Sequence, residues 1–122
     1  MRPRVLAHLL GLCNLVAGAF LLFRPDVLLA GVDGAQTVAA RLLSACAAVF
    51  LLGVAAGAWC LPAPATRAYL WIFGVAVKLA GALAWGAAAV ETGAGTLWAG
   101  AVLDAMIAIA IATALSLPRA GD

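Results

Sequence analysis

Charged residues are scarce in this chain. They make up 10% of its 122 residues, against about 25% in soluble domains. Apolar residues make up 67%, and the mean hydropathy is +1.17. A water-soluble fold cannot hide that much apolar surface behind so few charges. The net charge is only +2, and no basic cluster accompanies it, so a nucleic-acid partner is excluded. There is one histidine, His8, which lacks the second ligand that a metal or haem site needs. The three cysteines, Cys13, Cys46 and Cys60, lie in apolar runs with no CxxC and no metal spacing, so they read as small apolar packing residues. A Ser/His/Asp set, a glycine-rich phosphate loop and an HExxH are all missing, which leaves no soluble-enzyme chemistry. There is also no 20–50-residue repeat with shared motifs.

What remains is apolar length. A membrane-crossing helix takes about 20 mostly apolar residues, and four segments qualify: Val5–Phe23, Val38–Leu61, Tyr69–Val90 and Leu97–Leu117. Arg24-Pro25-Asp26, Pro62-Ala63-Pro64, Glu91-Thr92-Gly93-Ala94-Gly95 and Pro118 interrupt or end them, with proline at helix ends because it lacks the amide proton a continuing helix uses. The predicted fold is all-α: one transmembrane domain over residues 1–122, an antiparallel four-helix bundle with short loops. Glycine and alanine inside the segments suit close packing between membrane helices. The first segment carries an A-x-A pattern, Ala17-Gly18-Ala19, of the kind that ends a signal peptide. Its apolar run continues past that point, so an uncleaved helix is expected.

An even number of spans puts both termini on one side. That side holds Arg2, Arg4, Arg67 and Arg119; the other holds Arg24 and the edge residue Arg41, with Asp26, Asp33 and Glu91. The excess of basic residues predicts cytoplasmic termini in a plasma (inner) membrane. Trp59, Tyr69 and Trp71 are expected in the inner aromatic belt, and Trp98 in the outer one.

Three charges fall inside the spans. With a rise of about 1.5 Å per residue, Arg41 lies about 5–8 Å from the outer boundary, Asp104 about 10–12 Å and Lys78 about 18 Å. A lysine stem can snorkel several ångströms, so the three can meet. Gly74, Lys78, Gly81 and Trp85 share one helix face; so do Gly100, Asp104 and Ala108 on the fourth helix, Arg41, Ser44, Ala45 and Ala48 on the second, and Arg4, His8, Gly11, Asn14 and Gly18 on the first. The expected site is a pocket between helices two, three and four lined by Arg41, Lys78, Asp104 and Trp85. His8, Asn14 and Ser44 are the other intramembrane polar residues, with Asn14 expected to hydrogen-bond to a neighbouring helix. Two readings of the charges stand open. They fix helix register and orientation, or they form a functional site for ion coupling or for an anionic or quinone-like ligand. An acid clamped by two cations is a poor proton carrier, because opposite charge favours its charged form. Gly53-Val54-Ala55-Ala56-Gly57 is a GxxxG that serves internal packing or a homodimer face.

Phe23-Arg24-Pro25 closing helix one, Ala40-Arg41-Leu42-Leu43 opening helix two, Gly53, a lysine in helix three and an aspartate in helix four together resemble the small bacterial DoxX-like membrane proteins. The resemblance implies the four-helix fold and the charge triad as family features. For some members it also implies a link to thiosulfate–quinone oxidoreduction or redox stress, which makes quinone the one cofactor to weigh. The leading expectation is a non-enzymatic inner-membrane protein, an accessory subunit or small binding module. Its partners would be the lipid bilayer and a second copy or larger membrane complex, with no nucleic acid. The alternatives are an ion- or proton-coupled transporter or channel component, and a membrane subunit of a quinone-linked redox system.

Overall fold

Four helices, each long and apolar enough to cross a membrane, carry the chain: α1 (Pro3–Phe23), α2 (Val38–Cys60), α3 (Ala63–Thr92) and α4 (Gly95–Ser116). The computed structural model describes residues 2–34 and 36–117; Pro118 and Arg119, which entered the sequence reading, lie outside the described residues. No strand occurs among the described residues.

Local chemistry explains the helix ends. Pro3 opens α1 and Pro25 opens a short helical turn, Pro25–Leu28, positions where a missing amide proton costs nothing. The Thr37 hydroxyl accepts from the Ala40 amide at 3.2 Å and caps α2, satisfying one orphan donor of its first turn. Gly93 stops α3 at φ +70°, a left-handed conformation that glycine adopts without strain.

α3 departs from the sequence reading at its start. Pro62-Ala63-Pro64 was expected to separate two helices with the second beginning at Tyr69, but α3 begins at Ala63. Its first turn is a tight one, Ala63–Ala65, and the Thr66 hydroxyl donates to the Pro62 carbonyl at 3.3 Å. Prolines at the first turn start a helix as readily as they end one. Within α3, Leu70–Ala76 forms a wide π-helical stretch, which no proline or polar residue announces.

The helices pack as two pairs, α1 with α2 and α3 with α4. Glycine sets how close each pair comes. A Cβ on Gly11 would lie 3.0 Å from that of Ala58, and one on Gly18 would lie 3.1 Å from the Ala48 carbonyl oxygen. A Cβ on Gly74 would lie 2.8 Å from Ile111 Cδ1. The two pairs meet at their ends. At one end Leu6, Leu10, Val54, Tyr69, Leu70, Ile111 and Leu115 form the main core, and the Arg67 guanidinium donates to the Leu115 carbonyl at 2.8 Å. At the other end the α1–α2 loop lies over the α3–α4 turn: Gly31 faces Ala94, and the Thr96 hydroxyl donates to the Ala30 carbonyl at 3.0 Å.

Several expectations about faces are corrected by this packing. Tyr69 is core, not belt: it is buried, with its ring on Gly57 and its hydroxyl donating to the Val54 carbonyl. The buried stripe of α1 is Leu6, Ala7, Leu10, Gly11, Asn14, Gly18 and Leu21. Arg4 and His8 are exposed, because the stripe is centred on the Leu10–Asn14 side of the helix. The GxxxG is split: Gly57 receives Tyr69, while Gly53 faces open space. Cys13, Cys46 and Cys60 are free and exposed, so they are not packing residues of the interior. Large apolar side chains cover the outside, among them Phe23, Val38, Leu83 and Val90.

Candidate functional site

Lys78 and Asp104 meet. The Lys78 ammonium donates to Asp104 Oδ1 at 2.7 Å, with the two side chains only 9% and 16% exposed. The predicted faces deliver them. On α3, Gly74 packs on Ile111, Gly81 on Asp104, and Trp85 against Gly100 of α4. The approach at Gly81 is close: a Cβ there would lie 2.6 Å from Asp104 Oδ2. The carboxylate therefore fits only because residue 81 has no side chain. The wide stretch Leu70–Ala76 ends just before Lys78, so it sets the rotation at which α3 delivers the lysine; π-helical turns of this kind are frequent at functional sites. A buried charge left single is expensive in an apolar interior, and pairing with good hydrogen-bond geometry offsets that cost.

The third member of the expected triad is elsewhere. Arg41 is exposed and its guanidinium donates to Gln36 Oε1 at 3.1 Å. It lines a separate surface hollow with Leu22, Pro25, Asp26 and Gln36. The reason is topological. α2 packs on α1 rather than on α4, so Arg41, one turn inside α2, turns toward the α1–α2 loop. Depth alone put it beside Asp104; the direction of the helix face did not. At this site, then, one cation meets one carboxylate. The pair is neutral as a unit, and the surplus positive charge on which an anionic ligand depended is missing.

Asn14 is 1% exposed. Its amide nitrogen donates to the Leu10 carbonyl of its own helix at 2.9 Å, not to a neighbouring helix as expected. That bond fixes which end of the amide is nitrogen, since the reverse assignment would set two carbonyl oxygens against each other. Asn14 Oδ1 is buried and has no partner among the described residues. Ser44 is buried beside Ala48 on the α1-facing side of α2.

Between the two ends at which the helix pairs meet lies a cavity of about 250 Å³. All four helices line it. Of the residues expected to line a pocket, Lys78, Trp85 and Asp104 line this one and Arg41 does not; Gly81 joins them, and Asn14 comes from α1. Phe50, Leu51, Val54, Phe73, Val77 and Leu103 supply apolar walls. Phe50 and Phe73 face each other across the two pairs with ring centroids 6.5 Å apart, and Phe73 continues to Tyr69 at 4.8 Å. Mostly apolar walls with a few convergent polar groups are the usual composition of a small-molecule site. The contributions of α1 and of Phe50 and Phe73 were not anticipated, because aromatic residues inside apolar runs carry no signal of which face they occupy.

Comparison with protein-family models, curated proteins and solved structures finds no match to this chain.

The site therefore speaks through its own chemistry. It offers an ammonium, a carboxylate, an amide oxygen unpaired among the described residues, and apolar walls that reach the molecular surface at Phe50 and Leu103. His8 is exposed away from it, and no group of three or more His, Cys, Asp or Glu gathers among the described residues. Outside the four long helices, Arg24 and Asp26 form a two-pronged ion pair, Nε–Oδ1 at 3.0 Å and Nη2–Oδ2 at 2.9 Å. The hydrogen bond to Arg24 holds the Asp26 carboxyl below its ordinary range, and the same bond raises the Arg24 guanidinium.

Proposed function

We propose that this chain is a multi-pass inner-membrane protein that acts without catalysis, as a small binding module or accessory subunit, with its binding site in the cavity beside Lys78 and Asp104. The proposed arrangement is an antiparallel four-helix bundle with both termini cytoplasmic. It is supported by Gly11 meeting Ala58 while Gly18 meets Ala48, and by Arg2, Arg4 and Arg67 grouping at one set of helix ends. The DoxX-like resemblance agrees with this reading through the motifs around Arg24, Arg41, Lys78 and Asp104. The observation that carries the proposal is the cavity itself. A charge pair kept only for helix register needs tight packing around it, whereas this pair borders about 250 Å³ of open space. By comparison, an engineered apolar cavity of about 150 Å³ binds benzene.

The test is cavity filling. 2-Methylnaphthalene is dialysed to equilibrium against the detergent-solubilised protein, with protein-free micelles as the reference. One saturable site is expected in the wild type, and its loss in Ala47→Phe, a change at the cavity wall. Circular dichroism confirms that the variant is folded. Equal uptake by both proteins refutes the pocket. The same cavity would serve a transporter using Asp104 as its coupling acid. Such a protein gives Asp104-dependent flux in liposomes, and flux untouched by Asp104→Asn sinks that reading.

A further inference from the structure

Resting on the pocket reading, we infer that the cavity takes a neutral, largely apolar molecule that carries a hydrogen-bond donor, a hydroxyl above all, and that Asn14 Oδ1 accepts that donor. Asn14 is 1% exposed, and its amide nitrogen is committed to the Leu10 carbonyl at 2.9 Å. Its oxygen has no partner among the described residues although it is fully buried, and the residue lines the cavity. A buried acceptor without a donor is costly, and buried polar side chains are nearly always satisfied. An acyl chain or other hydrocarbon in the cavity would leave Oδ1 bare, whereas a ligand hydroxyl completes it.

The other polar groups agree with a hydroxyl and disagree with a formal charge. Lys78 uses one of its ammonium protons on Asp104 Oδ1 and has others free, because an ammonium carries three donors. A hydroxyl oxygen can accept one of these. Lys78 and Asp104 cancel as a pair, and Arg41 is held by Gln36 outside the cavity. An anionic or cationic ligand would therefore enter a low-dielectric space with no counter-charge left for it, which is unfavourable. Trp85, Phe50 and Phe73 in the walls suit a flat or aromatic body. The volume, about 250 Å³, admits a two-ring molecule.

Four naphthalenes of nearly equal size test this on the purified wild-type protein by equilibrium dialysis, each corrected for its partition into protein-free micelles. 2-Naphthol donates and accepts, 2-methoxynaphthalene accepts only, 2-methylnaphthalene does neither, and 2-naphthoate is charged. 2-Naphthol is expected to bind about tenfold more tightly than the methoxy and methyl compounds, the size of effect that satisfying one buried acceptor produces. 2-Naphthoate is expected to bind most weakly. In Asn14→Leu the preference for naphthol should shrink to within about twofold, while 2-methylnaphthalene still binds and so reports an intact pocket. Should that variant fail to fold, the wild-type series decides alone. Methoxynaphthalene binding as well as naphthol overturns the donor assignment and leaves the pocket standing. Naphthoate binding most tightly overturns the neutral assignment in favour of a charge-driven site at Lys78. No saturable binding of any of the four removes the pocket and the inference together.

Discussion

Removing one member of the Lys78–Asp104 pair isolates what the pair is worth. The two side chains are 9% and 16% exposed and their charged atoms are 2.7 Å apart, so each is the other's principal solvent. Breaking a buried pair by deleting one partner costs about 3–5 kcal/mol, because the remaining charge is stranded. Asp104→Leu should fall in the upper part of that range, since Lys78 is the more buried of the two. Lys78→Met should fall nearer the lower end, since the Asp104 it strands is the more exposed of the two, 16% against 9%. Replacing both with apolar residues of similar size removes the attraction and the desolvation cost together. Lys78→Met/Asp104→Leu should therefore lie within about 1 kcal/mol of wild type. The coupling energy of this cycle is expected to be at least about 5 kcal/mol, roughly 5,000-fold in the folding equilibrium. The assay is SDS titration of the detergent-solubilised protein, followed by far-ultraviolet circular dichroism. Single variants that unfold within about 1 kcal/mol of wild type would refute the reasoning, and so would a double variant no better than the worse single. Either result would mean that cavity water, not the partner, keeps each charge tolerable.

Three further expectations concern the frame of the site. Gly81→Ala should destabilise by about 1–3 kcal/mol in the same titration, because the new methyl group occupies the place of Asp104 Oδ2 and overpacks the contact. Gly53→Ala should instead be neutral or gain up to about 1 kcal/mol, since nothing lies within 4 Å of its Cβ position and alanine is the better helix former; equal effects at the two glycines would contradict the packing described. Tyr69→Phe should cost about 1 kcal/mol through the lost hydrogen bond to the Val54 carbonyl, read as a shift of the unfolding midpoint with unchanged slope. At the α1–α2 loop the Asp26 carboxyl titrates below its ordinary value of 3.8 because Arg24 holds its charged form. The contribution of that pair is therefore full above about pH 4 and is lost as pH falls through the lowered folded-state value. The pair is fully exposed, so the effect is small. Arg24→Ala should abolish the acid-limb difference in unfolding midpoint and leave the neutral-pH midpoint nearly unchanged.

The four apolar helices, the Lys78–Asp104 partnership and the face Gly74–Lys78–Gly81–Trp85 were legible from composition, run length and helical period. These properties belong to single helices or to one short connection. A lysine in an apolar helix demands a counter-charge, α4 follows α3 after a short turn, and Asp104 was the acid within reach. Start and stop signals were legible only in part. Pro62 and Pro64 marked a boundary correctly, but a proline near a boundary does not say whether it ends one helix or begins the next. The wide stretch Leu70–Ala76 left no trace, because its residues are as apolar as their neighbours and the extra width is decided by what packs against them.

Which helices pair, and which way each one is turned, belonged to the tertiary structure. Depth along the membrane normal is a property of one helix and can be counted from its end. Rotation about the helix axis depends on every neighbour. Arg41 shows the difference. Its depth was near that of Asp104, but α2 lies on α1, and the arginine bonds to Gln36 in the adjoining loop. Asn14 shows the converse: it was recognised as a polar residue inside an apolar helix, yet only the fold placed it among the residues that line the cavity with Lys78 and Asp104. The sequence by itself put Lys78 and Asp104 on consecutive apolar helices within reach of each other, because depth and helix face can be counted one helix at a time. The tertiary structure alone decided that the pair faces open space rather than packed side chains, because the two helix pairs touch at their ends and part between them.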